Sequence, residues 1–136
     1  MKLYIVTGPP CSGKTTYVKE HMSEDDIVFD SDEIARAFTY SKHHTVNKEG
    51  IKHFILKLRY QWIQALRSFG LQGNAWLIAS NLTDSLMKNC RQYDYEVVKM
   101  DVSIEECLVR LQKDDSRPDK EEWEKVIKGY TPHAKL

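Results

Sequence analysis

Apolar residues along the chain gather into short clusters set apart by polar stretches, and the clusters keep two different spacings. Leu3-Tyr4-Ile5-Val6, Ile27-Val28-Phe29, Ala75-Trp76-Leu77-Ile78-Ala79 and Tyr95-Glu96-Val97-Val98-Lys99-Met100 are compact runs of strand length. Runs of this kind are what strands buried in a parallel sheet look like. Elsewhere the spacing is helical. Ile51, Phe54, Ile55, Leu58, Trp62, Leu66 and Phe69 recur every three or four residues, which predicts one helix over 48–69 with a core-facing stripe. Lys48, Lys52 and Arg59 fall on a neighbouring face. Further helices are predicted over 14–21, from Ile34 onward with Ser31 or Asp32 as N-cap, over 84–91, after Ser103 and over 119–128. Ser103 stands three residues before Glu106, the capping-box spacing.

Residues 23–26 and 39–47 read as polar connections, Gly70 and Gly73 as a helix stop, and Gly129 and Pro132 as the end of the structured chain. Strands alternating with helices predict an α/β fold, a three-layer αβα sandwich around a parallel sheet of four to five strands. Four strands are visible, and no fifth apolar run follows Arg117. Trp62 and Trp76 are expected in the core, and Trp123 is expected to pack the last helix.

The first strand runs directly into Gly8-Pro9-Pro10-Cys11-Ser12-Gly13-Lys14-Thr15-Thr16, which completes the pattern G-x-x-x-x-G-K-[ST]. This is a P-loop in its expected strand–loop–helix setting. Successive backbone N–H groups of such a loop point into one concavity, and the helix that follows adds its positive end. Gly8 and Gly13 supply backbone shapes or close approaches that a Cβ would hinder. Lys14 is the cation for the β- and γ-phosphates, Thr15 the hydroxyl for Mg²⁺, and Thr16 a neighbour of the α-phosphate. ATP and Mg²⁺ are therefore the expected substrate and metal.

The 136 residues suffice for one domain, 1–136, with a core of its own and a small lid around 110–120. The formal net charge is zero, so global charge points neither to nucleic acid nor to a membrane. The opening Met-Lys-Leu-Tyr-Ile-Val reads as a core strand rather than a signal peptide. Cys11, Cys90 and Cys107 are odd in number and lack metal-ligand spacing, which suits a reduced, cytoplasmic setting. Cys11 reads as a small loop filler or as a reactive thiol at a helix start. Charge is uneven locally: between Ala37 and Arg67 the basic residues face a single acid, Glu49, and His43, His44 and His53 lie among them.

P-loops serve switches, motors, transporters and kinases. The chain is short for a motor and contains no guanine-specific N-K-x-D. The third strand ends without the acid of an ordinary Walker B, whereas Asp30 and Asp32 follow the second strand. Parallel strands carry their functional loops at their C-terminal ends, so these acids share an edge with the P-loop. A carboxylate there can act as base toward an acceptor hydroxyl. The competing role for both is helix capping.

Gly8 to Thr16, the Asp30-Ser31-Asp32 turn, Ile78-Ala79-Ser80-Asn81-Leu82, the 95–101 segment and Glu105-Glu106-Cys107-Leu108-Val109-Arg110 occur in the order seen in one family. The chain resembles the kinase domain of bacteriophage-type polynucleotide kinases and their AAA-like small ATP-binding relatives. That resemblance implies Asp32 as general base, Asn81 near the acceptor and Arg110 as a lid-side arginine on the transferred phosphoryl. Arg117 would be a second lid arginine, with Lys113 as substitute. Arg36 would be the arginine that follows the base, and Asp30 would lie on the substrate side. Ala79 and Ser80 depart from the family, which has an acid and a Thr there.

The resulting expectation is a P-loop kinase that moves the γ-phosphate to a polynucleotide 5′-hydroxyl or a nucleoside or nucleotide. Alternatives are a small-metabolite kinase and a nucleotide-binding regulatory ATPase. Lys42, His43, His44, Lys48, Lys52 and Arg59 read either as an anionic-substrate surface, with Tyr40 or Trp62 stacking on a base, or as a solvated face. His43 and His44 are not expected to bind metal. Asp114 and Asp115 read as a solvated lid turn.

Overall fold

The computed structural model describes residues 1–41, 43–44, 49–131 and 133–134. Strands Leu3–Thr7 (β1), Ile27–Asp30 (β2), Ala75–Ala79 (β3), Leu82–Thr83 (β4), Tyr95–Lys99 (β5) and His133–Ala134 (β6) are joined by six helices. These are Lys14–His21 (α1), Ser31–Thr39 (α2), Glu49–Ala65 (α3), Asp84–Cys90 (α4), Ile104–Gln112 (α5) and Lys120–Lys128 (α6). A parallel four-stranded sheet runs in the order β2-β3-β1-β5. The register pairs Thr7 with Ala79, Thr7 with Lys99 and Asp30 with Ile78. The C-terminal ends of the four strands therefore share one edge.

Strand alternation sends β1 side chains into two layers. Leu3 and Ile5 join Phe29, Leu77, Ile55, Ile63, Leu66, Leu86 and Cys90 beneath α3 and α4. Val6 joins Trp76, Ile78 and Val18 beneath α1. A third cluster, Cys107, Leu111 and Ile127, holds α5 to α6. The expected three-layer α/β architecture is thus present, with four strands in the main sheet.

Several details differ from the sequence expectations. The helix predicted over 48–69 stays α-helical only to Ala65, and Leu66–Phe69 tightens into a 3₁₀ turn. Side chains compete for its last carbonyls: the Tyr93 hydroxyl donates to the Ile63 carbonyl and Ser68 Oγ to that of Ala65. The core stripe includes fully buried Ile63, whereas Phe54 and Phe69 are 46% and 47% exposed. Phe54 instead meets Phe38 of α2 edge-on. Trp76 is buried and Trp62 packs partly buried on the core, as expected.

The N-cap of α2 is neither Ser31 nor Asp32 but Asp30, whose carboxylate accepts the Asp32 N–H. The chain also does not stop forming structure at 129–132. It returns as β6 to pair with β4, Leu82 against His133 and Thr83 against Ala134. A two-residue pairing carries no hydrophobic period from which to read it. The Lys42 and Lys48 positions lie outside the described residues. No described helix is long and apolar enough to cross a membrane.

One side chain ties the turn before β2 to β3. Asp26 accepts the Asn74 N–H on Oδ1, and the Ser23 N–H and Trp76 indole N–H on Oδ2. Gly73 lies so close that a Cβ would stand 2.3 Å from Asp26 Oδ1. Asp26→Ala removes the acceptor from three N–H groups, an expected loss of about 1–3 kcal/mol. The urea unfolding midpoint measures it, and a midpoint within error of the wild type would show that water replaces the carboxylate.

Candidate active site

At the end of β1 the loop backbone turns so that few residue types fit. Cys11 and Gly13 have φ of 67° and 90°, the left-handed region that glycine enters without strain. At Gly8 the constraint is space, since a Cβ would stand 2.5 Å from Ser12 Oγ and 3.0 Å from Met100 Cβ. Unlike α2, α4 and α5, α1 has no side-chain cap, and no acid occupies its first turn. Its opening amides are left for an anion.

Ser12 is 1% exposed, and among the described residues its hydroxyl has no partner. Lys14 Nζ bends back onto the carbonyls of Gly8 at 2.6 Å and Pro9 at 3.0 Å. Burial holds its ammonium at about 8, below the usual 10.5, although Asp32 works the other way. An orphaned hydroxyl, uncapped amides and a partly desolvated cation form a cradle that fits a phosphate chain.

The loop opens on a cleft of about 980 Å³. Pro10 to Thr16, Asp30, Asp32, Arg36, Asn81, Arg110 and Arg117 all line it. Gly8 and Pro9 are buried at its root. The expected site residues, drawn from distant parts of the sequence, therefore meet at one place. Thr15 Oγ1 lies 3.4 Å from Asp30 Oδ2, a hydroxyl–carboxylate pair of the oxygen-donor kind that suits Mg²⁺. Asp30 is 8% exposed. Its burial, then the Asp32 charge, raises its pKa.

Asp32 differs. Its side chain retains 55% of its accessible surface, so it is open to the cleft. Its desolvation raises the pKa, yet the His44 hydrogen bond, with the Arg117 and Lys14 charges, outweighs this and brings it below the ordinary value. Asp32 is ionised at neutral pH. Two acids two residues apart thus have opposite tendencies, one sheltered beside Thr15 and one charged and open.

The three arginines stand in different situations. Arg110 reaches across the mouth, donating to the Cys11 carbonyl at 3.3 Å and pairing with Glu106 at 3.3 Å. Arg36 pairs with Glu33 and lies 2.9 Å from His44 Nε2. Arg117 lines the cleft, but its charge is held by Asp114 and its plane lies 4.8 Å over the Trp123 ring. Asn81 lines the wall too, with its amide donating to the Thr131 carbonyl.

Asp114 is not solvated as the sequence suggested. It accepts from the Ser116 N–H and hydroxyl and from Arg117, and Lys120 caps the Leu111 and Asp114 carbonyls. Residues 113–119 therefore form a braced turn between α5 and α6. Sequence reasoning also treated Arg59 as either substrate surface or solvated face. It is half-buried on α3, lines the cleft, and burial lowers its pKa. His44 was read as a loop residue or part of a basic surface, yet its ring touches Asp32. A polar loop has no period from which that contact could be read.

The fold has counterparts among solved structures. A chain of the "Pnkp1/Rnl/Hen1 RNA repair complex" superposes with a TM-score of 0.67 at 21% identity, over 93% of this chain and 43% of that one. A second Pnkp1/Rnl/Hen1 structure gives 0.61 at 21%, over 80% and 38%. This chain thus spans less than half the length of those chains. A deoxyadenosine kinase from M. mycoides, solved with dCMP and dCDP, aligns over 100% of this chain and 90% of its own at TM-score 0.49 and 15% identity. No protein-family model matches the sequence, and no curated protein matches it. The likeness to the two Pnkp1/Rnl/Hen1 structures is one of fold: a parallel sheet of four strands with helices around it.

Burial opposes the Asp114 charge, but Ser116 and Arg117 hold its pKa at about 2, against the usual 3.8. A depressed carboxylate adds stability that is present above the unfolded pKa and lost as pH falls through the folded one. Asp114→Asn should therefore be less stable than the wild type at pH 7. The gap should close between about pH 4 and pH 2. Thermal melts across that range measure it, and a gap independent of pH would show that Asp114 acts without its charge.

Proposed function

We propose that this chain is an ATP- and Mg²⁺-dependent phosphotransferase that moves the γ-phosphoryl group to a hydroxyl. The proposed acceptor is a polynucleotide 5′-hydroxyl or the hydroxyl of a nucleoside or nucleotide. The observation that carries this reading is that one cleft holds both the phosphate cradle and the exposed carboxylate of Asp32, whose pKa is lowered. A loop that only bound nucleotide would have no need of a base.

The loop amides and Lys14 would bind the β- and γ-phosphates, and the α1 start would favour their charge. Thr15 and Asp30 would hold Mg²⁺, which when bound neutralises charge on the phosphates. Asp32 takes the proton of the acceptor hydroxyl as its oxygen attacks phosphorus. The bond from the γ-phosphorus to the bridging oxygen breaks, and ADP leaves with those electrons. Arg110, already beside the loop, would stabilise charge on the phosphoryl group in transit. Arg36, Lys52 and Arg59 line the cleft; on this reading they would face the acceptor and favour an anionic one. The likeness in fold to a chain of an RNA repair complex is in keeping with the same acceptor class.

Asp32→Asn should lower transfer by about 10²–10⁴-fold with ATP affinity preserved, followed with γ-labelled ATP and a mixed panel of acceptors. Undiminished transfer removes Asp32 from the mechanism. Label on sugars and hydroxy acids but not on oligonucleotides or nucleosides makes the chain a small-metabolite kinase. ATP binding without label on any acceptor makes it a regulatory nucleotide binder, in line with Ala79 at the end of β3.

Lys14 gives a second test. Its ammonium has a pKa of about 8 in the free protein, and a bound polyphosphate raises it. ATP binding should therefore take up protons near pH 8 and weaken as pH rises beyond it. Calorimetry in buffers of different ionisation enthalpy detects the uptake, which Lys14→Met should abolish.

A further inference from the structure

Between α2 and α3, His44 occupies a position that neither the P-loop nor the acid pair accounts for. Its side chain is 14% exposed. Its backbone N–H donates to the Ser116 carbonyl at 2.7 Å, and its ring stands edge-on to Trp123 at 6.4 Å.

The two ring nitrogens have different partners. Nε2 lies 2.9 Å from an Arg36 guanidinium nitrogen. Arginine can only donate, so Nε2 must accept. That assigns the imidazole proton to Nδ1, which lies 3.3 Å from Asp32 Oδ2. The ring therefore donates to one carboxylate oxygen. The carboxylate itself is 55% exposed and lines the cleft.

We infer that His44 is a positioning residue for the phosphotransfer base: fixed as the Nδ1–H tautomer by Arg36, it orients the Asp32 carboxylate toward the acceptor. This rests on the reading of Asp32 as base. Glu33 completes the chain by pairing with Arg36, so the order is Glu33, Arg36, His44, Asp32. Because His44 is also fastened to Ser116, the aim of the base depends on the α5–α6 turn. The charged groups around the carboxylate are Asp30 and Glu33 at the start of α2, Lys14 of α1 and Arg117 of that turn. Arg36 is on the far side of the imidazole, Asp114 pairs with Arg117, and Lys52 and Arg59 of α3 line the same cleft.

Two polar replacements separate the contacts of the ring. The amide nitrogen of Asn can stand where Nδ1 stood, whereas that of Gln reaches toward the Nε2 position. In His44→Asn the base should keep its donor, and in His44→Gln it should lose it. A donor removed from a carboxylate raises its pKa. Long-range ¹H–¹⁵N spectra of the wild type should show His44 as the Nδ1–H tautomer. The Nε2–H tautomer overturns the inference.

Kinetics with the accepted substrate then distinguish the two levels. For His44→Gln, kcat should fall at least ten-fold with the KM for ATP little changed, and the acid limb of kcat/KM should move to higher pH. His44→Asn should restore both. Full activity in Asp32→Asn defeats the base itself. An inactive Asp32→Asn beside a His44→Gln of wild-type rate and pH profile defeats only the role of His44.

Discussion

The placement of the candidate site depends on strand direction. Because β2, β3, β1 and β5 are parallel and in register, their C-terminal ends lie along one edge. The segments leaving them, 8–13, 31–33 and 80–81, must share the space above it. Thr7 ends opposite Ala79 and Asp30 opposite Ile78. Antiparallel pairing of any one strand would send its loop to the opposite edge. The hydrophobic runs that bury the sheet therefore also bring phosphate chemistry and carboxylate chemistry together. Core packing and site geometry are two results of one arrangement.

Above that edge the charges are distributed unevenly. The start of α1 is left without cap or acid, whereas α2, a neighbour on the same edge, is capped by Asp30 and begins with Asp32 and Glu33. One helix end is prepared for an anion from outside the chain and the other is filled by the chain's own carboxylates. Lys14 has its partly desolvated ammonium resting on Gly8 and Pro9 carbonyls, contacts weaker than a phosphate would offer. The free loop thus keeps its main cation poorly solvated.

Much of this was legible in the sequence, for physical reasons that differ by element. The P-loop was legible because phosphate binding imposes residue types at fixed spacing, and β1 and β3 because near-continuous burial leaves unbroken apolar runs. Asp32 could be placed because strand ends fix loops. The 3₁₀ ending of α3 was not legible, because it is set by the hydroxyls of Tyr93 and Ser68, one of them distant in sequence. β6 was missed because its pairing is through backbone rather than side-chain pattern. Asp114 looked solvated because its partners, Ser116 and Arg117, matter only once the turn has closed. His44 was the largest omission, since its significance depends on Asp32, Arg36 and Ser116 converging on a loop without periodicity.

Trp123 has a consequence of another kind. Its ring lies beneath the Arg117 guanidinium, edge-on to His44, and it borders the cleft. The other two tryptophans, Trp62 and Trp76, belong to the layers of the sheet. Indole emission responds to nearby cations and to the entry of water. The protein therefore carries a native optical reporter at the wall where Asp32 and the α5–α6 turn meet, and events in the cleft can be followed without adding a label.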